Sequence, residues 1–136
     1  MFFGELACLT LAIYFEAGGQ PLKGKIAVGQ VILNRVKSSE YPSSICRVVK
    51  QHKQFSFYIE GEYLKIPRKE SPQERLALEE SKLIASALIS EGALGEHVVD
   101  PTLGALHYHA TYVNPLWARG DYVELGEHKF FNQIIH

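Results

Sequence analysis

No apolar run in this sequence approaches the length needed to span a bilayer, so no membrane insertion is expected. Neither sign of charge is in excess. The 14 Lys and Arg against 15 Asp and Glu leave a net charge of -1, which gives no global electrostatic case for nucleic acid. The opening Met1-Phe2-Phe3-Gly4-Glu5 has no positive n-region, so no Sec-type signal peptide is expected. On that reading the chain acts in the cytosol, is released by another route, or has been trimmed. Cysteine is scarce. Cys8 and Cys46 cannot make a metal site alone, and their spacing is not that of a zinc knuckle. Two buried thiols are the ordinary reading. The alternative is one disulfide joining the first helix to the segment after the second, which would fit an oxidising compartment. There is no helical H-E-x-x-H, no G-x-S-x-G, no P-loop and no dinucleotide fingerprint. Internal repeats, low-complexity segments and linkers are absent too.

What is present suits one domain over residues 1–136, with a hydrophobic fraction of 46% and a charged fraction of 21%. Gly4 to Ala17 is apolar almost all round and reads as a buried helix that Gly18 and Gly19 stop. Gln20-Pro21 opens a second helix, in which Ile26, Gly29, Ile32, Leu33 and Val36 mark one buried stripe. Gly24 and Gly29 each cost that helix about 1 kcal/mol against Ala, which a close helix–helix approach would explain. After a turn at Ser38–Pro42, Ser43 or Ser44 caps a short helix that ends near Lys50. Gln51 to Lys69 reads as irregular or weakly stranded and is rich in aromatics. Ser71-Pro72-Gln73-Glu74 is a capping box with Pro at the first helical position. The helix it starts should reach about Glu91 with Leu76, Leu83, Ala87 and Leu88 inward, and Gly92 should end it. Ala105 to Thr111 reads as a strand with His107 and His109 on one face and Tyr108 on the other. Tyr122 to Leu125 and Lys129 to Phe131 are further strands, joined at Gly126-Glu127-His128. The expected fold class is α+β, mainly helical, with a small antiparallel sheet in the C-terminal third.

The residue that invites chemistry is Glu16. Set among Ile13, Tyr14 and Phe15 at a helix end, it would lose hydration, which favours the protonated form that a general acid needs. Taken locally, an exposed Glu near a helix end is the plainer reading. The aromatic and amide side chains Gln54, Phe55, Tyr58, Tyr108, Tyr112, Asn114 and Trp117 would suit sugar rings, stacking on their C–H faces and bonding their hydroxyls. His107-x-His109 could join His128, Asp100 or Asp121 around a metal, but a His pair beside a Tyr more often serves hydrogen bonding or packing, and no metal is expected. A cysteine nucleophile has little support. Cys8 lies mid-helix in apolar surroundings, and Cys46 has no activating motif.

Three groups of blocks then appear in a specific order. Ala12-Ile13-Tyr14-Phe15-Glu16-Ala17 leads into Gly24-Lys25-Ile26-Ala27-Val28 and Val31-Ile32-Leu33-Asn34-Arg35-Val36. Tyr41-Pro42, Ile45-Cys46-Arg47-Val48-Val49 and Gln54-Phe55-Ser56 follow. His107-Tyr108-His109-Ala110, Tyr112-Val113-Asn114-Pro115-x-Trp117-Ala118 and Gly126-x-His128-x-Phe130-Phe131 close the series. With these blocks the chain resembles the cell wall hydrolases of the spore-cortex-lytic-enzyme type (SleB/CwlJ-like), and its C-terminal block looks more like members from Gram-negative bacteria and their phages.

The resemblance implies a peptidoglycan-cleaving domain related in architecture to lytic transglycosylases and goose-type lysozyme. It implies that Glu16 is the catalytic acid/base and that Gln54, Phe55 and the segment from His109 through Tyr112 and Asn114 to Trp117 line the glycan groove, to which the reading of the residues themselves adds Tyr108. It departs at one place. The family usually has Glu-Ala-Arg-Gly-Glu-Pro, and here the run is Glu16-Ala17-Gly18-Gly19-Gln20-Pro21. A second carboxylate from this loop is therefore missing, and a single-Glu mechanism is expected. Further expectations are a monomer acting on peptidoglycan without a cofactor, of the phage endolysin kind, with a trimmed domain of a secreted enzyme as the second possibility. The competing classes are a non-catalytic glycan-binding module, in which Glu16 is only a buried hydrogen-bonding group, and a metalloenzyme.

Overall fold

The computed structural model describes residues 4–51, 59–60, 63–64, 71–93 and 100–132. Gln54, Phe55 and Tyr58 lie outside the described residues. The element order is α1 (Gly4–Ala17), α2 (Leu22–Lys37), α3 (Ile45–Gln51), β1 (Ile59–Glu60), β2 (Tyr63–Leu64), α4 (Pro72–Ala93), β3 (His107–Ala110), β4 (Val123–Leu125) and β5 (His128–Phe131). β1 and β2 form a short antiparallel pair inside the weakly stranded stretch.

α1 is the buried helix that its composition demands, with Leu9, Ala12 and Ile13 fully covered. Cys8 on α1 and Cys46 on α3 form a disulfide, so of the two readings of the cysteines the structure has the cross-link. α1 closes where Gly18 N–H donates to the Tyr14 carbonyl at 2.9 Å and Gln20 N–H donates to that of Ala17 at 2.9 Å. A Cβ at Gly18 would lie 2.5 Å from the Tyr14 carbonyl oxygen, so the Arg usual at this place in the family would not fit this backbone.

α2 differs from the single stripe expected of it. Ile32 faces the helical core with Ile84, Ala85 and Leu88 of α4 and with Val48 and Val49 of α3. Ala27, Val28 and Val31 face a second core with Ala17, Ala105 and Phe130. Ile26, Leu33 and Val36 are only half-buried. α2 is thus the wall between the helices and the sheet. The close approach expected at Gly29 is present, since a Cβ there would lie 2.7 Å from Leu88 Cδ1 and 3.0 Å from Ile13 Cδ1. Gly24 instead adjoins the β4–β5 turn. At that turn Gly126 has φ +61°, and a Cβ on it would lie 2.7 Å from Gln20 Oε1 and 3.6 Å from Gly24 Cα.

The α4 capping box forms as expected. Glu74 N–H donates to Ser71 Oγ at 3.0 Å, and that hydroxyl donates to Glu74 Oε1 at 3.0 Å. The inward face needs correcting. Ser81, Ile84, Ala85 and Leu88 are buried, whereas Leu76 and Leu83 are 69% and 71% exposed and Ala87 points outward as well. Small residues let α4 lie close to α1, and the Ser81 hydroxyl is satisfied by the Ala77 carbonyl at 2.8 Å. A leucine pattern cannot reveal a buried stripe built on Ser and Ala. α4 also passes through Gly92 and ends at Ala93. Lys25 of α2, itself buried, pairs with Glu80 of α4.

The C-terminal sheet is antiparallel in the order β3-β5-β4. Tyr108 pairs with Phe130, His109 with Lys129 and Ala110 with His128. β3 is fixed to α2 at its start. Asn34 Nδ2 donates to the Ala105 carbonyl and to Asp100 Oδ2, both at 2.9 Å, and Arg35 Nε donates to the Leu106 carbonyl at 2.8 Å. These bonds set the register that aims alternate β3 side chains towards or away from α2.

Candidate active site

Glu16 occupies the last turn of α1, half-buried beside the fully covered Ala17. The Tyr108 hydroxyl donates a hydrogen bond to its Oε1. Burial, then the adjacent Glu16 charge, raise the Tyr108 hydroxyl well above its ordinary pKa, so it remains a donor at any physiological pH. The Tyr108 ring is held from β5 on two sides. Phe130 stacks on it at 5.6 Å and 30°, and His128 meets it edge-on at 5.4 Å and 80°.

His128 is buried, and its Nδ1 has no hydrogen-bond partner among the described residues. Burial lowers its pKa, with the nearby Glu16 and Glu127 charges opposing and His109 reinforcing. The neutral imidazole is the form suited to this place. Gln20, where the family usually has a carboxylate, accepts a hydrogen bond at Oε1 from Glu127 N–H at 2.8 Å. Its side chain fastens the β4–β5 turn to the loop that follows Glu16.

The residues expected around the groove fall into separate groups. Tyr108 joins Glu16 on the helix-facing side of the sheet. His109 and Trp117 lie together on the other side. His109 stacks on Phe131 at 5.4 Å and meets Trp117 at 5.5 Å, and Trp117 meets Phe131 at 5.5 Å. His109 Nδ1 lies 2.7 Å from the Ala110 carbonyl, which places a proton on that nitrogen. Tyr112 is 82% exposed on the loop after β3, and Asn114 is exposed beside it. Gln54 and Phe55 belong to the residues not described. His107 packs near Trp117 at 6.0 Å, and burial, then Arg35, lower its pKa. Among the described residues no three His, Cys, Asp or Glu side chains converge as metal ligands.

Sequence reasoning named His128 only as a possible metal ligand and did not single out Phe130, so neither was expected beside Tyr108. The signal was available, since a strand pairing Ala110 with His128 puts His128, Phe130 and Tyr108 on one face.

With the geometry in place, the comparisons with known proteins give the class of the chain. Residues 19–131 match the cell wall hydrolase family, and the chain belongs to that family. The matched segment begins just after Glu16. The chain is similar to the spore cortex-lytic enzyme of Bacillus cereus, 26% identical over 133 aligned positions, covering 93% of this chain and 43% of that protein. It is also similar to the spore cortex-lytic enzyme of Bacillus subtilis, 27% identical over 129 residues, covering 93% of this chain and 37% of that protein. It thus spans less than half the length of these relatives. The catalytic domain of the Bacillus cereus SleB protein has the same fold with a TM-score of 0.59 at 26% identity, over 93% of this chain and 88% of that one. The catalytic domain of the germination-specific lytic transglycosylase SleB from Bacillus anthracis matches in fold at a TM-score of 0.56 and 23% identity, over 96% and 95% of the two chains. The fold is therefore the mainly helical, lysozyme-like one with a small antiparallel sheet in its C-terminal third. No described helix is long and apolar enough to cross a membrane.

Proposed function

We propose that this domain cleaves the glycan strand of peptidoglycan between N-acetylmuramic acid and N-acetylglucosamine, with Glu16 as the only catalytic carboxylate. The observation that carries this reading is the hydrogen bond from the Tyr108 hydroxyl to Glu16 Oε1. With Oε1 engaged as an acceptor, the transferable proton belongs on Oε2. Protonated Glu16 gives that proton to the bridging oxygen as the C1–O bond of the muramic residue breaks. The N-acetyl carbonyl of the same sugar shields the oxocarbenium-like centre. The muramic 6-hydroxyl then attacks C1 while the Glu16 carboxylate takes up its proton. The enzyme is restored, no water is consumed and a 1,6-anhydro end forms. This is a lytic transglycosylase. The absence of a second carboxylate from the Glu16 loop supports it, because position 20 is a glutamine engaged with the Glu127 backbone.

Hydrolysis at the same site would make the domain a muramidase. Mass spectrometry of muropeptides released from purified walls separates the two, because an anhydro end lacks one water. Reducing ends alone would discard the transglycosylase assignment and keep the cleavage. The Cys8–Cys46 disulfide supports action outside the reducing cytosol, in lysis by an endolysin or in wall remodelling.

A further inference from the structure

At the end of the sheet away from the Gln20–Glu127 contact, a cavity of about 350 Å³ opens between residues 102–103 and residues 119–123. That volume falls within the range of small-ligand sites. Buried Phe130 forms its floor, Asn132 lines it, and the half-exposed Tyr122 and exposed Leu103 stand at its mouth. Leu103 has φ +57°, the one left-handed non-glycine backbone among the described residues. Its turn is held by Asp100, whose carboxylate accepts bonds from Thr102 N–H at 2.8 Å, Thr102 Oγ1 at 2.7 Å and Gly104 N–H at 2.8 Å. A strained, exposed leucine fixed so firmly at a cavity mouth is a feature of binding sites.

Arg119 and Asp121 flank Gly120 on the cavity wall, and among the described residues neither makes an ion pair or a side-chain hydrogen bond. A guanidinium fork matches a carboxylate, and a carboxylate matches an ammonium. Opposite charges two residues apart beside an apolar mouth suit an amino acid better than an uncharged sugar. We propose that this cavity binds the short peptide stem carried by muramic acid, with Arg119 on a stem carboxylate, Asp121 on the free amine of a diamino acid, and Leu103 and Tyr122 against its methylenes. The proposal rests on the reading of the domain as a glycan-strand cleaving enzyme. The two sites share a wall, since Phe130 stacks at 5.6 Å on the Tyr108 ring whose hydroxyl meets Glu16. A stem held here would anchor the muramic residue near the catalytic carboxylate.

The test has two arms. A free stem peptide with an unacylated diamino acid is titrated into the full, isotope-labelled chain and followed by NMR. Saturable shifts confined to residues 102–104 and 119–123, lost in Arg119→Ala and weakened when the peptide amine is acetylated, are expected. In parallel, cleavage kinetics are measured on intact walls and on glycan strands stripped of peptide by an amidase. Arg119→Ala should raise KM on intact walls about tenfold with kcat unchanged, the effect of one lost charge-assisted bond. Its kinetics on stripped strands should equal those of the wild type, which also shows that the variant is folded. No saturable shifts, or equal losses on both substrates, would overturn the proposal. Peptide binding without glycan cleavage would leave the cavity assignment standing and defeat the cleavage reading. Normal cleavage without peptide binding would do the reverse.

Discussion

Tyr108 and Glu16 are 92 residues apart in sequence and joined by a hydrogen bond from the Tyr108 hydroxyl to the Glu16 carboxylate. The contact ties the end of α1 to the middle of the sheet and couples the orientation of the acid to the placement of β3. Glu16→Gln should reduce lysis of purified walls by about 10²–10⁴-fold, the range of general acid catalysis. Tyr108→Phe keeps the ring between Phe130 and His128 and removes only the donor. It should lower kcat about tenfold or more with KM little changed, at a stability cost of about 1–2 kcal/mol. Full activity in Tyr108→Phe would show that the hydroxyl has no part in the reaction.

The second prediction concerns acid. His128 and His107 have folded pKa values below their ordinary 6.5, so the unfolded chain binds more protons in this range. Their contribution is complete above pH 6.5 and falls away as the pH drops through that value towards the folded pKa. Thermal unfolding followed by circular dichroism should therefore show a falling Tm on acidification from neutrality, and His128→Phe should flatten the fall. An unchanged slope in that variant would remove His128 from the account. Asp100 acts in a separate, lower window. Its hydrogen bonds from Thr102, Asn34 and Gly104 outweigh burial and hold it below 3.8, so its contribution is lost only as the pH falls below that value.

The cross-link between α1 and α3 gives a third. Cys8 and Cys46 are 38 residues apart, and closing a loop of that length stabilises the fold by about 3–4 kcal/mol in the chain-entropy account. Thiol titration under denaturing conditions should find no free thiols, and reductant should lower Tm by several degrees. Two free thiols in the oxidised protein would contradict the structure directly.

The fourth distinguishes the two faces of α4. Leu88→Ala removes a core side chain and should cost about 2–5 kcal/mol in urea denaturation. Leu83→Ala, on a side chain 71% exposed, should change stability by less than about 0.5 kcal/mol. Comparable losses at both positions would mean that the outer face of α4 is covered in solution.

Much of this was legible in the sequence, for reasons that differ by element. The bounds of α1 follow from an apolar run broken by Gly18-Gly19, and the start of α4 from Ser71-Pro72-Gln73-Glu74, because the chemistry of these ends is local. The two strands after Gly120 were legible as short runs on either side of the turn at Gly126-Glu127-His128. The inward face of α4 was not, because it is built on Ser81 and Ala85, whose burial depends on what packs against them. Glu16 stood out through its position. The separation of Tyr108 from His109 follows from strand alternation, whereas the pairing of Glu16 with Tyr108 and the place of Trp117 beside His109 depend on long-range packing, which no local pattern encodes. Gln20 was noticed as a missing carboxylate, while its work as a fastener for the β4–β5 turn required the fold.

The place of α2 as a wall between two cores has one further consequence. α1 contributes to both, with Ile13 in the helical core and Ala17 in the core against which Tyr108 packs, and Glu16 lies between these two residues in the chain. A chain cut after α4 would retain the acid and its helices but not the partner that orients it. The orientation of the Glu16 carboxylate is thus a property of the finished chain, set by its last strands.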